Sequence, residues 1–481
     1  MPLTPHTKIQ NLLTIGLPWF ISLVLAHHPV LSYLIAFSGS WFIFYYTLFS
    51  PWKYINKDET QGFQIMRPIV LIQLIFAGFM CCTSIFYFID HLGYKYFESV
   101  NGNFTTSSQT FLIARSQQIA LLGHIGLVTG IQYQTKPLLQ KYQCTMPLAP
   151  LLTRMYFISF LCTLVLDHYP SFLQIKYYLL HLSACCVSYL FITGILHRKL
   201  VQAIPAGIAL GLQLLNATIS GYKESLLVNL LLMGFISFPY FRKTVLFFFL
   251  PLLYLLLYTL PTLTQMIRAS SWKNHKPVKE VRQEALESLL NESKGAQISD
   301  NNWNFLTHRF SETEMFCQYI KAVPDQQPYY GFKILRNSFY ALIPRTFWSQ
   351  KPNTEKVSME RAYTCGAVNR LSAASAKTRP VTDAYLSGGA PIVFLAMFLY
   401  GLIAQWLCNK AETLFGGYPL GCIIIFNGFF QPLWRGNNWE FLINNITYGF
   451  VIMLLLFHLL KHFQILQKIN DAKNLPDYPL L

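Results

Sequence analysis

The sequence predicts an all-α polytopic membrane protein, with about twelve transmembrane helices and one large, partly helical loop between the ninth and the tenth. Three observations predict it. Only 12% of the 481 residues are charged and 53% are hydrophobic, with a mean hydropathy of +0.35; a soluble domain carries about 25% charged residues. Apolar runs of about 20 residues, long enough to cross a hydrocarbon core, recur along most of the chain. The basic residues outside the large loop gather in alternate short loops, where membrane topology places them.

The runs put spans near 10–28, 30–50, 68–90, 116–134, 148–167, 176–196, 201–220, 225–240, 244–267, 386–408, 416–433 and 441–461. The first, "NLLTIGLPWFISLVLAHHP", continues into apolar sequence instead of a small-residue cleavage site, so it reads as a span and not as a signal peptide. With the N-terminus inside, fifteen Lys and Arg of the short loops fall on the cytoplasmic side. Five fall opposite: Lys95, Arg115, Lys176, Lys223 and Arg435. Both termini then lie in the cytoplasm, and the chain divides into a bundle of about nine spans (1–267), an external loop (268–385) and a three-span segment with its tail (386–481). The expected location is the bacterial inner membrane, with the loop in the periplasm. The net charge of +16 does not imply nucleic acid, because the cations are dispersed among short loops.

The ten cysteines spell no disulfide or metal framework. Cys81-Cys82 and Cys185-Cys186 lie inside apolar runs, where Cys acts as a small hydrophobe. Cys317 and Cys365 both fall in the large loop, and their pairing is open.

The loop holds the remaining 17 of the 37 basic residues, from Arg268 to Arg379, against 11 acids from Glu280 to Asp383. Within it "PVKEVRQEALESLLNE" (277–292) has one apolar helical side. "SDNNWNFLTHRFSETEMFCQYIKAVP" (299–324) has helical spacing, with Ser299 or Asp300 as N-cap and Pro324 as terminator. Arg309 stands one turn before Glu312, which allows an i,i+3 ion pair as well as a role toward a ligand. Next comes "ALIPRTFWSQKP" (341–352), whose prolines exclude one regular helix. It presents Arg345 and Lys351, with Trp348 placed to pack on either cation. Arg345 offers a planar fork for phosphate, and Lys351 a point charge.

The order "HRFSETEMF…VP…YYG…LIPRTFWSQKP…TRPVTDAYLSGG", with "SGYKESLL" (220–227) upstream, resembles the Wzy-type polymerases of bacterial surface polysaccharides. The nearest flavour is the Wzy-like proteins found beside exosortase systems. The resemblance covers about 220–390; before that, the chain is similar only in being membrane helices. It departs in having Lys223 where the family has Arg, and Asp383 where a Glu often precedes Ala-Tyr.

The resemblance implies a metal-independent, inverting glycosyl transfer. A growing glycan leaves undecaprenyl diphosphate and joins a sugar hydroxyl on an incoming lipid-linked repeat unit. Preorganised cations would stabilise the leaving diphosphate: Arg345, Lys351 and Arg309 first, then Arg379 and Lys223, with Trp348 lining the substrate. The base or acceptor-orienting group is one of Glu224, Asp383 and Glu312; Glu224 equally suits a helix N-terminus. No cofactor is expected. The expected partners are undecaprenyl-diphosphate-linked oligosaccharides, inner-membrane lipid, and a chain-length regulator or flippase. Rival readings are a lipid-linked oligosaccharide flippase, which would show internal repeats and mid-span charges, and an O-antigen-ligase-like enzyme with another acceptor. A conventional lipid-sugar-dependent glycosyltransferase would carry acids in its first outer loop, here only about "HHP". An exosortase-like peptidase would need a Cys, Arg and His set.

Overall fold

In the computed structural model, residues 5–49, 64–99, 107–136, 140–169, 172–219, 223–252, 295–345, 347–370 and 377–469 are described. The chain is all-α apart from two small strand pairs. It opens with α1 (Pro5–Val24) and α2 (Pro29–Leu48). α3 (Pro68–Phe76) runs through a π-helical stretch, Ala77–Cys82, into α4 (Ser84–His91). The hairpin of β1 (Tyr94–Lys95) and β2 (Glu98–Ser99) leads on to α5 (Ser108–Gln134). After β3 (Tyr142–Cys144) come α6 (Leu148–Leu166), α7 (Leu173–Leu196), α8 (Leu200–Ile219), α9 (Lys223–Ser237) and α10, residues 242–252.

Eight helical segments among the described residues are long and apolar enough to cross a membrane, and three shorter apolar ones accompany them. The chain is a multi-pass membrane protein. The expected span at 244–267 is described only to residue 252, and the expected helix at 277–292 lies outside the described residues.

The expected helix at 299–324 is broken. It forms α11 (Gly295–Phe305), a π-helical turn Leu306–Phe310, and α12 (Thr313–Ala322). Ser299 and Asp300 therefore lie inside α11 instead of at its start; the Asp300 carboxylate takes the ammonium of Lys95 at 2.8 Å. Two further helices follow, α13 (Lys333–Leu342) and α14 (Thr354–Thr364), the latter capped by the Asn353 side chain on the amides of Glu355 and Lys356.

α15 (Pro380–Leu414) starts six residues before the expected span and kinks at Gly388–Gly389. The expected span at 416–433 is not one helix. A π-helical segment, Tyr418–Phe426, gives way to the short α16 (Asn427–Phe429) and α17 (Gln431–Arg435). α18 (Trp439–His462) and β4 (Leu466–Lys468) close the described chain.

The bundle is built around α5, buried along most of its length and packed most extensively on α15. Without a hydrophobic drive between helices in lipid, small residues permit close approach of backbones. A Cβ on Gly130 would sit 2.0 Å from the Phe398 carbonyl oxygen, and one on Gly401 2.1 Å from that of Leu127. Gly126 and Gly130, four residues apart on α5, thus share the close seam against α15. At the far end of both helices, β3 pairs antiparallel with β4, Cys144 opposite Leu466.

Candidate functional site

Three segments of the large loop, "HRFSETEMF", "VP" and "YYG", converge on the start of α15, and the chain's own chemistry explains why. In a helix, the carbonyl of Ser387 would be bonded by the amide of residue 391, but Pro391 has none, and the Gly388–Gly389 break disturbs its neighbour. Unbonded carbonyls within a membrane protein need partners. The loop supplies them: the Tyr330 amide donates to Leu386 O at 2.9 Å and the Gly331 amide to Ser387 O at 3.1 Å. "YYG" therefore docks on "LSGG". Gly389, at φ +73°, could not carry a side chain there, since a Cβ would stand 2.9 Å from the Tyr329 hydroxyl oxygen. One turn earlier, the Tyr385 hydroxyl donates to the Val323 carbonyl at 3.0 Å, joining "DAY" to "VP".

A third junction is ionic. Arg379, just before α15, donates from Nε to both Glu312 oxygens at 2.9 and 3.0 Å, and from Nη1 to Gly436 O at 2.6 Å. Its guanidinium lies over the Phe79 ring, 4.1 Å from the centroid. The alternative Arg309–Glu312 pair is not formed. Glu312 is turned to Arg379 because the chain breaks at 311–312, and Arg309 is exposed on the preceding turn.

Beneath this junction lies a buried cluster. Arg361 on α14 is 2% exposed, and Asp383 and Glu440 are fully enclosed. Arg361 Nη2 donates to Glu440 Oε2 at 2.9 Å, to Asp383 Oδ2 at 3.3 Å and to Thr378 Oγ1 at 3.2 Å, while Nη1 bonds Glu440 Oε1. Asp383 Oδ2 also accepts from the Trp439 amide at 3.0 Å. Burial opposes the charge on Arg361, but Asp383 and then Glu440 more than offset it, so its pKa is raised and it stays protonated. Two carboxylates meet one guanidinium, for a formal charge of −1. Arg361 Nε, Asp383 Oδ1 and the Tyr319 hydroxyl are buried with no hydrogen bond; Oδ1 lies 3.1 Å from Arg361 Nη2 but out of line for a bond. Burial, and then the charge of Asp383, raise the Tyr319 pKa.

"ALIPRTFWSQKP" is held differently. Lys351 donates to the carbonyls of Ala341 and Ile343, at 2.7 and 2.8 Å, and so closes the C-terminus of α13. Burial, and then the charge of Arg345, lower its pKa. Arg345 is exposed, with a single 3.5 Å contact to Lys351 O. Trp348 packs edge-on against Tyr340, ring centroids 5.4 Å apart, and not on either cation as expected. α13 itself rests on α18, where the Tyr448 hydroxyl donates to Leu342 O at 3.0 Å. Lys223 and Glu224 stand at the first turn of α9, and their side chains lie outside the described residues.

Of the expected site residues, then, Asp383, Glu312 and Arg379 are brought together, Arg345, Lys351 and Trp348 form a second group, and Arg309 stands apart. Arg361 and Glu440 were missed. Arg361 sits in "SMERAYTC", a polar stretch like any solvated helix, and Glu440 in "NNWEF", which reads as an interfacial turn. Their signal is a lone acid opening an apolar span, which a buried cation alone makes tenable. Cys317 and Cys365 are both free thiols. Burial pushes Cys365 up to about 11, whereas a nucleophilic cysteine needs a lowered pKa.

No curated protein and no solved structure matches the chain. One family does, over residues 17–468, and by that match the chain belongs to the family described as a domain of unknown function, DUF8712.

Proposed function

We propose that the chain is a membrane glycosyltransferase that lengthens a lipid-linked polysaccharide, as its resemblance to Wzy-type polymerases implies. The observation that carries this reading is the convergence of the loop's motif segments on the first turns of α15, through the Tyr330–Leu386, Tyr385–Val323 and Arg379–Glu312 contacts. A loop locked to a membrane bundle in this way is a working part of it, not a tether. Arg345 is exposed, with only a 3.5 Å contact from Nη1 to Lys351 O, and would offer its guanidinium face to a diphosphate leaving group. Arg309 is exposed as well. Lys351, Arg379 and Arg361 hold the frame, and Trp348 shapes the edge of the loop. Glu312, whose side chain is 19% exposed, is the acid best placed to meet a sugar hydroxyl; Asp383 is enclosed and orients the start of α18 instead. The substrates are undecaprenyl-diphosphate-linked oligosaccharides, handled on the periplasmic side of a bacterial inner membrane.

The test is the glycan profile of a strain lacking the chain. Single repeat units accumulating on the lipid support a polymerase. Precursor trapped on the cytoplasmic face means a flippase, and long polymer left unligated means a ligase; either overturns the reading. In the complemented strain, Arg345→Ala is expected to abolish lengthening while the protein still inserts. Polymer of normal length from that variant removes Arg345 from the chemistry.

A further inference from the structure

A second cluster lies at the opposite end of α15, about 35 Å along the helix from the kink at 1.5 Å per residue. Cys408 and Glu412 are one turn apart on α15, and Cys422 faces them from the π-helical segment that folds back along it. All three are buried. The segment approaches so closely that a Cβ on Gly421 would lie 2.5 Å from the Cα of Glu412.

We propose that Cys408, Cys422 and Glu412 form a structural site for a soft divalent cation, zinc in the first instance. The spacing of the donor atoms carries this. A tetrahedral zinc with Zn–S near 2.3 Å and Zn–O near 2.0–2.2 Å needs sulfurs about 3.8 Å apart and sulfur to oxygen about 3.5 Å. Cys408 Sγ lies 3.6 Å from Cys422 Sγ and 3.5 Å from Glu412 Oε1. The Met66 carbonyl oxygen, 3.4 Å from Cys422 Sγ, is the candidate for the fourth position.

Charge completes the argument. Arg67 holds the carboxylate by both oxygens, Nε to Oε1 at 3.0 Å and Nη2 to Oε2 at 2.9 Å. Binding exchanges two thiol protons for one dication, so that two thiolates, one carboxylate, one guanidinium and the metal sum to zero. Thiols, carboxylate and guanidinium sum to zero before binding as well, so the exchange buries no net charge. The basic-residue distribution assigns this end to the cytoplasm, where thiols stay reduced and metal binding is favoured over a disulfide. The site is remote from the sugar chemistry proposed above and independent of it. It would pin the fold-back segment to α15 and α3.

The experiment uses the full chain purified in detergent from cells grown with zinc, desalted, and assayed by elemental analysis. About one zinc per chain is expected, falling to background in Cys408→Ser and Cys422→Ser and retained in Cys81→Ser. Exchange of cobalt into the wild type should give a thiolate-to-cobalt charge-transfer band in the near ultraviolet. That readout decides the matter should the serine variants fail to run as a single species on size exclusion. A wild-type chain with no zinc and no cobalt band overturns the proposal, as does zinc retained when both cysteines are replaced. A Cys408–Cys422 disulfide found by mass spectrometry would overturn it too.

Discussion

Arg361 and Arg379 both join the loop to the bundle, yet their surroundings set different costs for losing them. Arg361 is enclosed and pairs with two carboxylates. Replacing one partner of a buried ion pair costs about 3–5 kcal/mol, because a charge is left stranded. Arg361→Met is therefore expected to lower the thermal unfolding temperature in detergent sharply, and Arg361→Met with Glu440→Gln to recover part of the loss. Arg379 is a quarter exposed, so water screens its pair and Arg379→Met should cost about 1 kcal/mol or less. Equal losses for the two single variants would contradict this ranking. Lys351→Ala removes two charge-assisted bonds to the end of α13, each worth about 1.5–3 kcal/mol at most and less where half exposed. On the proposed lengthening activity, its effect should be partly recovered by Lys351→Arg, since a guanidinium still reaches carbonyls; no recovery would put the ammonium itself in the proposed reaction.

At the scale of elements, backbone approach decides more than side-chain polarity. The Gly130–Phe398 and Gly401–Leu127 contacts leave no room for a methyl group. Gly130→Leu is expected to abolish properly folded protein, whereas Gly211→Leu, at a position with open space around it, should be recovered at normal yield. The comparison is made by fluorescence-detected size exclusion of membrane extracts. Where apolar length and the positions of Pro and Lys/Arg govern, the sequence is readable: spans at 68 and 148 begin at or beside Pro68 and Pro147. The break inside 299–324 was not readable, because Leu306–Phe310 has ordinary helix formers and the Arg379 that meets Glu312 at the break lies 67 residues on. The irregular stretch 418–435 was hidden likewise, since a π-helical segment and a straight span share one apolar composition. The site was half legible. Arg345 and Asp383 stand out by their company of Pro, Trp and Tyr, while Arg361 and Glu440 gain meaning only when the loop folds back on the bundle.

For the molecule as a whole, the two ends of α15 carry different chemistry: paired arginines and carboxylates with the loop at one end, cysteines with the β3–β4 pair at the other. Single cysteines placed at exposed Ser349 and exposed Gln464 are expected to lie on opposite sides of the membrane. A membrane-impermeant thiol reagent should label the first in intact spheroplasts and the second only after permeabilisation; labelling of both from one side would dismantle the topology. The α5–α15 seam has a further bearing, on how the chain is made. α5 precedes α15 by about 250 residues, so until α15 is made the glycine-lined face of α5 lacks the helix that covers it. The early helices accordingly wait as a loose, unsealed assembly, and the late arrival of α15 is the step that commits the protein to its final form.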